Sequence, residues 1–595
     1  MKKIMTICLV ALLMFSLSAC TLDLGNGIYV NQNGIVKGSE NLGQIVGDSD
    51  DNSQNSQGGT SQNPSVSNGG GNSTVENSST VGGNSNGGGN NSTGAGSSVN
   101  KSNGGDSSAN PDKNSTSSND KPDSSQAPQD VPSGDVTTDI KPLSYGGLSE
   151  SAYVTWSESS VSSAKVWYKA SNSSAYTQVD GELVRADGSG KARVDILGLK
   201  AGSYDIRVHV GSANKDIEIS NVGVVAYDRS GYAHFNNSNG VGAYNNDGTL
   251  KSGVKVVYVN ESTKNSAGGV GLVKSIQTGN VCVRIIGRIS CPQYLSANKM
   301  DTSITDIKNI TRSNLGDDSY WNMIDVGGKS NITVEGVGTD AEFYQFGLTF
   351  KKCQAVEVRN LTFTNYPEDA CSFEGDTKNP GAYKYFWIHN NLFNEGKNGW
   401  DLTSEQDKGQ GDGASDIKGV SNVTYSYNKY YKCKKTGLIG GSDTHKQFNV
   451  TAHHNYYCQT YSRTPLGRQA NMHYYNNYYE NCGSYCVSLR ATAYMFSEAN
   501  YVKSKVFRES RTGGACKSFN DVFDGCSKKG DITIVTDRTK TVSNNCSYGS
   551  SFDTDASKFY YDSSAKKTKV SYLTDANKAK SDCVSFAGPG KANQF

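Results

Sequence analysis

The chain has 595 residues and a formal net charge of +1. That length exceeds one ordinary domain, so two or more units are expected. The near-neutral balance excludes nucleic acid as an expected partner, and any site for a polyanion has to be local.

The first twenty residues, MKKIMTICLVALLMFSLSAC, have a basic start, an apolar middle and small residues at the end, the build of a secretory leader. Leu17-Ser18-Ala19-Cys20 resembles a bacterial lipobox, whose cysteine is lipidated and becomes the mature N-terminus. Residues 1–20 are therefore expected to be a lipoprotein signal, with Cys20 as the lipid attachment; an ordinary cleaved signal is the alternative. No later run reaches the roughly 18 apolar residues of a membrane span. The expected location is the cell surface or the extracellular space, tethered to a bacterial membrane.

Residues 21–137 are expected to be a disordered linker, because from 47 to 135 the chain is Ser, Asn, Gly and Asp with almost no apolar residue. Such a composition cannot bury enough surface to offset ordering entropy, and it would act as a flexible leash. Over 138–226, "AYVTWSES", "SSAKVWYKA", "KARVDILGL" and "GSYDIRVHVG" alternate in polarity between Gly/Ser/Asn turns, which predicts a small antiparallel sandwich. Trp156 and the turn Leu199-Lys200-Ala201-Gly202-Ser203-Tyr204 before "DIRVHV" resemble a fibronectin type III domain, expected here as a spacer. Carbohydrate binding is its alternative role.

From about residue 230 a pattern repeats: "VEVRNLTFTN", "FWIHNNLFNE", "VTYSYNKYYK", "VTAHHNYYCQ", "MHYYNNYYEN", "MFSEANYVKS". Each is a short strand, an asparagine, then apolar or aromatic residues. A fixed coil with loops of variable length produces that spacing, and stacked coils share one continuous core. The asparagines Asn360, Asn391, Asn428, Asn455, Asn477 and Asn500 are expected to stack as a ladder at one corner, bonding backbone groups that the bend leaves unpaired. His453 and His454 are expected to be coil packing. The fold class predicted is all-β: a right-handed parallel β-helix over 227–595, with a C-terminal wrap, behind the sandwich.

Fourteen cysteines are present; Cys8 and Cys20 fall in the leader, and the remaining twelve run from Cys282 to Cys583. An even number in an exported chain suggests disulfides, with buried thiols as the alternative.

Against this scaffold a polar set stands out: Asp369 in "YPEDACSF", Asp412 and Asp416 in "GDGASDIKG", Lys435 in "KCKKTGLIGG", Arg463 and Arg468 in "SRTPLGRQ". Coils about 4.8 Å apart would make these lateral neighbours on one face. Oxygen-only donors of high charge suit a hard cation such as Ca²⁺, a solvated acidic loop being the other reading. On a regular strand Asp412 and Asp416 would stand roughly 13 Å apart, so sharing an ion requires a bend at Gly413-Ala414-Ser415. Pro465 and Gly467 are expected to stiffen and turn the loop that aims the two arginines.

"SNITVEGVGTDAEF", "VEVRNLTF", "DGASDIKGVSNVTYSYNKYY", "KKTGLIGGSD" and "VTAHHNYYCQTYSRTPLGRQANMHYYNNYY" resemble, in this order, a polysaccharide lyase family 1 pectate lyase over roughly 230–505. The resemblance implies a calcium ion held by Asp369, Asp412 and Asp416, bridging to the carboxylates of polygalacturonate. It implies Arg463 as Brønsted base and Lys435 and Arg468 as binders of substrate carboxylates; Glu368 is carried only as a neighbour of the matching position. Where the family shows Trp-Ile-Asp-His, this chain has Trp387-Ile388-His389-Asn390. The implied reaction is β-elimination by a monomer, giving 4,5-unsaturated oligogalacturonides. Pectin lyase, polygalacturonase and a non-catalytic pectin-binding surface protein are the alternatives. The first lacks the calcium carboxylates, and the Gly-His-Gly and Arg-Ile-Lys motifs of the second are absent here.

Overall fold

The computed structural model describes residues 140–267, 269–292, 323–366, 368–395, 411–509, 513–548 and 573–591, together with three short strands near the start. Those strands, Leu22–Asp23, Ile28–Asn31 and Gly34–Lys37, pair antiparallel inside the span read as linker. The leader, Cys20 and the rest of 21–137 lie outside the described residues. Among the described residues no helix is long and apolar enough to cross a membrane.

Between Ser144 and Val224 the alternating runs form two four-stranded antiparallel sheets. One orders Ser144–Leu148, Ser151–Ser157, Lys191–Leu197 and Val184–Ala186; the other orders Lys215–Val224, Gly202–Val210, Lys165–Ala170 and Thr177–Gln178. Every second residue of Ser151–Ser157 is buried, as a half-covered strand requires. Trp156, Val194, Val208 and Ile217 share one core between the sheets. Tyr204 donates its hydroxyl to the Lys200 carbonyl at 2.8 Å, closing the turn before its strand. Val337, from the next unit, packs into the same core, and Arg185 reaches Asp340 at 3.2 Å.

The remainder winds as stacked coils with parallel pairing. One long sheet of eighteen strands carries two columns of strands that meet at a bend, and a separate sheet of seven strands forms the third face. The central coils contribute one strand to each face, for example Phe448–His453, Tyr456–Cys458 and Leu466–Arg468. The tyrosine-rich repeats have a packing cause. Phe363, Phe393, Tyr430, Tyr457 and Tyr479 stack ring on ring at 4.9–5.2 Å along the interior, matching the rise between coils.

The asparagine ladder begins at Asn391. The side-chain oxygens of Asn428, Asn455, Asn477 and Asn500 accept from the backbone N–H one coil back at 2.8–3.1 Å, and Asp521 accepts from Asn500 at the far end. Asn360 is not a rung. Leu361 holds that position, and Asn360 precedes it at φ +55, donating instead to the Gly336 and Gly338 carbonyls. The positions just before the rungs (Asn390, Tyr427, His454, Asn476, Ala499, Asn520) share that left-handed backbone, which turns the corner of these coils.

The expected disulfides are absent: all twelve cysteines from Cys282 to Cys583 are free thiols, nine of them buried. They fill core space as small hydrophobes, and Tyr366 and Cys433 are an example at 3.4 Å.

Candidate active site

The six polar residues singled out by sequence lie on four successive rungs of the seven-stranded sheet. Asp369 opens the strand Asp369–Glu374, and Gly413–Lys418 pairs beside it with Asp369 opposite Gly413 and Ser372 opposite Asp416. Lys435 bridges to Ser462 just ahead of Leu438–Ile439, and Arg463 precedes Leu466–Arg468.

The bend that Asp412 and Asp416 need is present. The N–H groups of Ala414 and Ser415 both donate to the Thr436 carbonyl, at 3.2 and 3.1 Å. Successive amides of a regular strand point to opposite sides, so two aimed at one acceptor mark a bulge. Glu368, Asp369 and Asp412 each offer an oxygen within 4.8 Å of the others. Asp416 joins through Asp369, since both carboxylates converge on the space over Gly413.

This crowding is visible in the protonation energetics. Burial, then the Asp416 charge, pushes Asp369 well above the usual carboxylate range. Burial pushes Asp416 up to about 6; Lys418 opposes the rise and Asp412 adds to it. Three or four oxygens with no nitrogen or sulfur among them, repelling one another at short range, fit a hard divalent cation such as Ca²⁺.

Cations ring the cluster. Lys435 donates to Asp412 Oδ1 at 2.7 Å. Lys418 bonds Glu374 at 3.1 Å, and the charges of Asp369, Glu374 and Asp416 outweigh its burial and hold it protonated. Lys418 escaped the sequence reading, although its place two residues beyond Asp416 on an extended strand puts both on one face. Glu368, weakly weighted from sequence, belongs to the acidic group. Arg463 sits near enough to Asp416 to lower that carboxyl's pKa. Its φ of +62 makes Arg463 itself the turning residue. Gly467, expected to turn the loop, instead lies within a strand where a side chain would strike Met472 Cε at 2.6 Å. Arg468 donates to Asp443 Oδ1 and to the Gly440 carbonyl, both at 3.0 Å.

His389, in the departed motif, is fully buried on another face. Its Nε2 lies 3.1 Å from Glu357, and its ring stacks on Trp387 at 3.6 Å. The substitution keeps a polar partner inside a buried ion cluster and leaves the acidic site untouched.

The chain is similar to several known pectate lyases. Pectate lyase C of Dickeya chrysanthemi is 34% identical over 172 residues, 29% of this chain and 45% of its own length. The chain thus spans under half the length of the curated relatives it matches. Among solved structures, pectate lyase II of Xanthomonas campestris aligns at 23% identity over 62% of this chain and 99% of its own, with TM-score 0.42. A pectate lyase of Bacillus sp. N165 in complex with trigalacturonate aligns at 20% identity over 60% and 98%, with TM-score 0.40. The profile of the family described as "Pectate lyase" matches residues 219–592, the coils and their acidic site together, and the chain belongs to that family.

Proposed function

We propose that the chain is a calcium-dependent pectate lyase that cleaves de-esterified polygalacturonate by β-elimination. The observation that carries this reading is the convergence of Glu368, Asp369, Asp412 and Asp416 beside Lys435 and Arg463 on consecutive rungs. Bound at the carboxylates, calcium would supply positive charge to the uronate group next to the reacting carbon. Lys435 binds that uronate and stabilises the enolate-like charge that grows as the C5 proton leaves. Arg463 takes the proton at its guanidine, and loss of the C4 oxygen leaves a 4,5-unsaturated end. A guanidinium ordinarily keeps its proton past pH 12, so neighbouring positive charge such as Lys435 has to disfavour it. Arg468 holds a further carboxylate of the chain.

The sandwich order and the Tyr204 turn support reading 138–226 as a fibronectin type III-like spacer. The Leu17–Cys20 sequence supports lipid attachment at Cys20 and a place on the cell surface, with residues 21–137 as the leash.

Incubation with polygalacturonate and calcium should raise ultraviolet absorbance from the unsaturated product, at an alkaline optimum and not after chelation. Arg463→Ala should abolish that rise while substrate still binds. Activity at pH 5 that survives EDTA, or turnover retained in Arg463→Ala, sinks the mechanism. Higher activity on methyl-esterified pectin would assign a pectin lyase instead.

A further inference from the structure

A second group of ligand-type side chains lies on the long sheet, away from the acidic site: Asp228, His453 and His454. Asp228 belongs to the strap after the sandwich, which crosses the coils through Tyr232 N–H to Thr451 Oγ1 (3.2 Å) and Ala233 N–H to Thr424 Oγ1 (3.0 Å). His453 ends the strand Phe448–His453, and His454 follows at φ +52, so two successive imidazoles face the strap. All three residues are at most 1% exposed.

The three side chains each offer a donor atom within 4.8 Å of the others. His453 Nδ1 and His454 Nδ1 are 3.0 Å apart, and His453 Nδ1 is 3.7 Å from Asp228 Oδ2. The second distance is too long for a hydrogen bond. Both distances bracket the ~3.4 Å between donors on a tetrahedral zinc with bonds of about 2.0–2.1 Å. A hydrogen bond between two Nδ1 atoms uses one proton and one lone pair, whereas an ion uses both lone pairs and the carboxylate together.

The surroundings orient the donors. Asp228 Oδ1 accepts from the Ser230 N–H at 2.9 Å and from the Ser230 hydroxyl, leaving Oδ2 toward the histidines; Tyr427 OH approaches Oδ2 at 3.3 Å. Tyr475 stacks on His453 at 4.9 Å and Tyr427 on His454 at 4.7 Å, fixing both ring planes. Outer contacts that set ring orientation are a feature of built metal sites. Two imidazoles and a carboxylate suit zinc and supply three of its four positions, a water completing the fourth.

We propose that Asp228, His453 and His454 bind one zinc ion that pins the strap to the coils beneath it. The inference is independent of the lyase reading. Untagged full-length chain refolded with excess zinc and calcium, then desalted, should carry ~1 zinc per chain by elemental analysis, falling at least about tenfold in His453→Asn/His454→Gln. Its melting midpoint should drop by several degrees when refolding uses a zinc-selective chelator in calcium buffer. Cobalt(II) in place of zinc should give visible ligand-field bands that the variant lacks. Wild-type content below ~0.1 zinc per chain overturns the proposal even if the variant fails to fold. So do full zinc retention in a folded variant, preferential binding of iron or nickel at these residues, or a midpoint indifferent to zinc.

Discussion

The carboxylates of Asp369 and Asp416 meet over Gly413: a Cβ placed there would lie 2.6 Å from Asp369 Oδ1 and 2.5 Å from Asp416 Oδ1. Only the lack of a side chain lets both oxygens face one volume. Gly413→Ala should weaken calcium binding at least about tenfold, at a stability cost of ~1–3 kcal/mol for overpacking. Calcium titration calorimetry and thermal melting read the two effects separately. Unchanged affinity would mean that the two carboxylates do not share an ion.

Calcium affinity should depend on pH through Asp416. Burial and Asp412 raise this group to about 6 against the opposing Lys418, so below that pH it binds a proton in the ion's place. Affinity should fall at least about tenfold per pH unit below 6, since Asp369 is raised as well and competes for a second proton, with proton release on binding near pH 6. Calorimetry in buffers of different ionisation enthalpy measures that release. A constant affinity from pH 5 to 8 would contradict it.

Arg468 shares its hydrogen bonds between Asp443 and the Gly440 carbonyl, outside the acidic group. Arg468→Ala should raise KM about tenfold while kcat changes by less than about threefold, the pattern of lost binding without lost chemistry. Steady-state kinetics on polygalacturonate separate the two, and a collapse of kcat alone would move Arg468 into the chemistry.

Ladder rungs should be costly to remove. Asn455 accepts from Asn428 N–H and Nδ2 and donates to the Tyr425 carbonyl and to Asn477 Oδ1. Asn455→Ala leaves several buried groups unpaired and should cost about 3–5 kcal/mol. At the ladder's end, burial raises Asp521 to about 6 despite its bond from Ser518. The folded chain therefore holds this proton more tightly than the unfolded chain; the stabilisation is complete below about 4 and lost as pH rises through 6. Asp521→Asn should stabilise the protein by ~1 kcal/mol at pH 8 and not at pH 4. Denaturant unfolding at both pH values checks this.

The buried ion cluster between strap, sandwich and coils should set the acid limit. Glu150, on the sandwich, pairs with Arg229 at 3.0 Å, and Arg359 bonds Glu335 at 2.8 Å and Glu357 at 3.2 Å. Burial raises Glu335 and Glu357, but the Arg359 charge heads the attractions that more than reverse it, holding both at about 2. Their folded pKa values are depressed, so their stabilisation is present above about 4.5 and lost as pH falls toward 2. Acid unfolding should begin below pH 4.5. Arg359→Ala should cost about 3–5 kcal/mol by stranding buried charge. Acid titration by circular dichroism tests the first and denaturant melts the second.

How much was legible in the sequence follows from how local each cause is. The coil repeat, the ladder from Asn391 onward and the stacked aromatics were readable because a coil is one short strand-turn-strand unit repeated. Asn360 misled because its neighbour Leu361, not the asparagine itself, occupies the rung. Gly467 misled because a glycine that makes room for Met472 looks, in sequence, like one that turns a loop. The cysteines misled because pairing depends on which thiols the coils bring together.

By itself the sequence determined the periodic backbone, the antiparallel runs before it and the acidic and basic residue types of the candidate site, since each is set by near neighbours along the chain. Only the tertiary structure decided which of them meet. The bulge at Ala414 and Ser415, Lys418 beside Asp369, and Asp228 against two histidines over two hundred residues away are contacts across coils. Register between coils, which depends on the length of every intervening loop and on packing of the whole core, controls them.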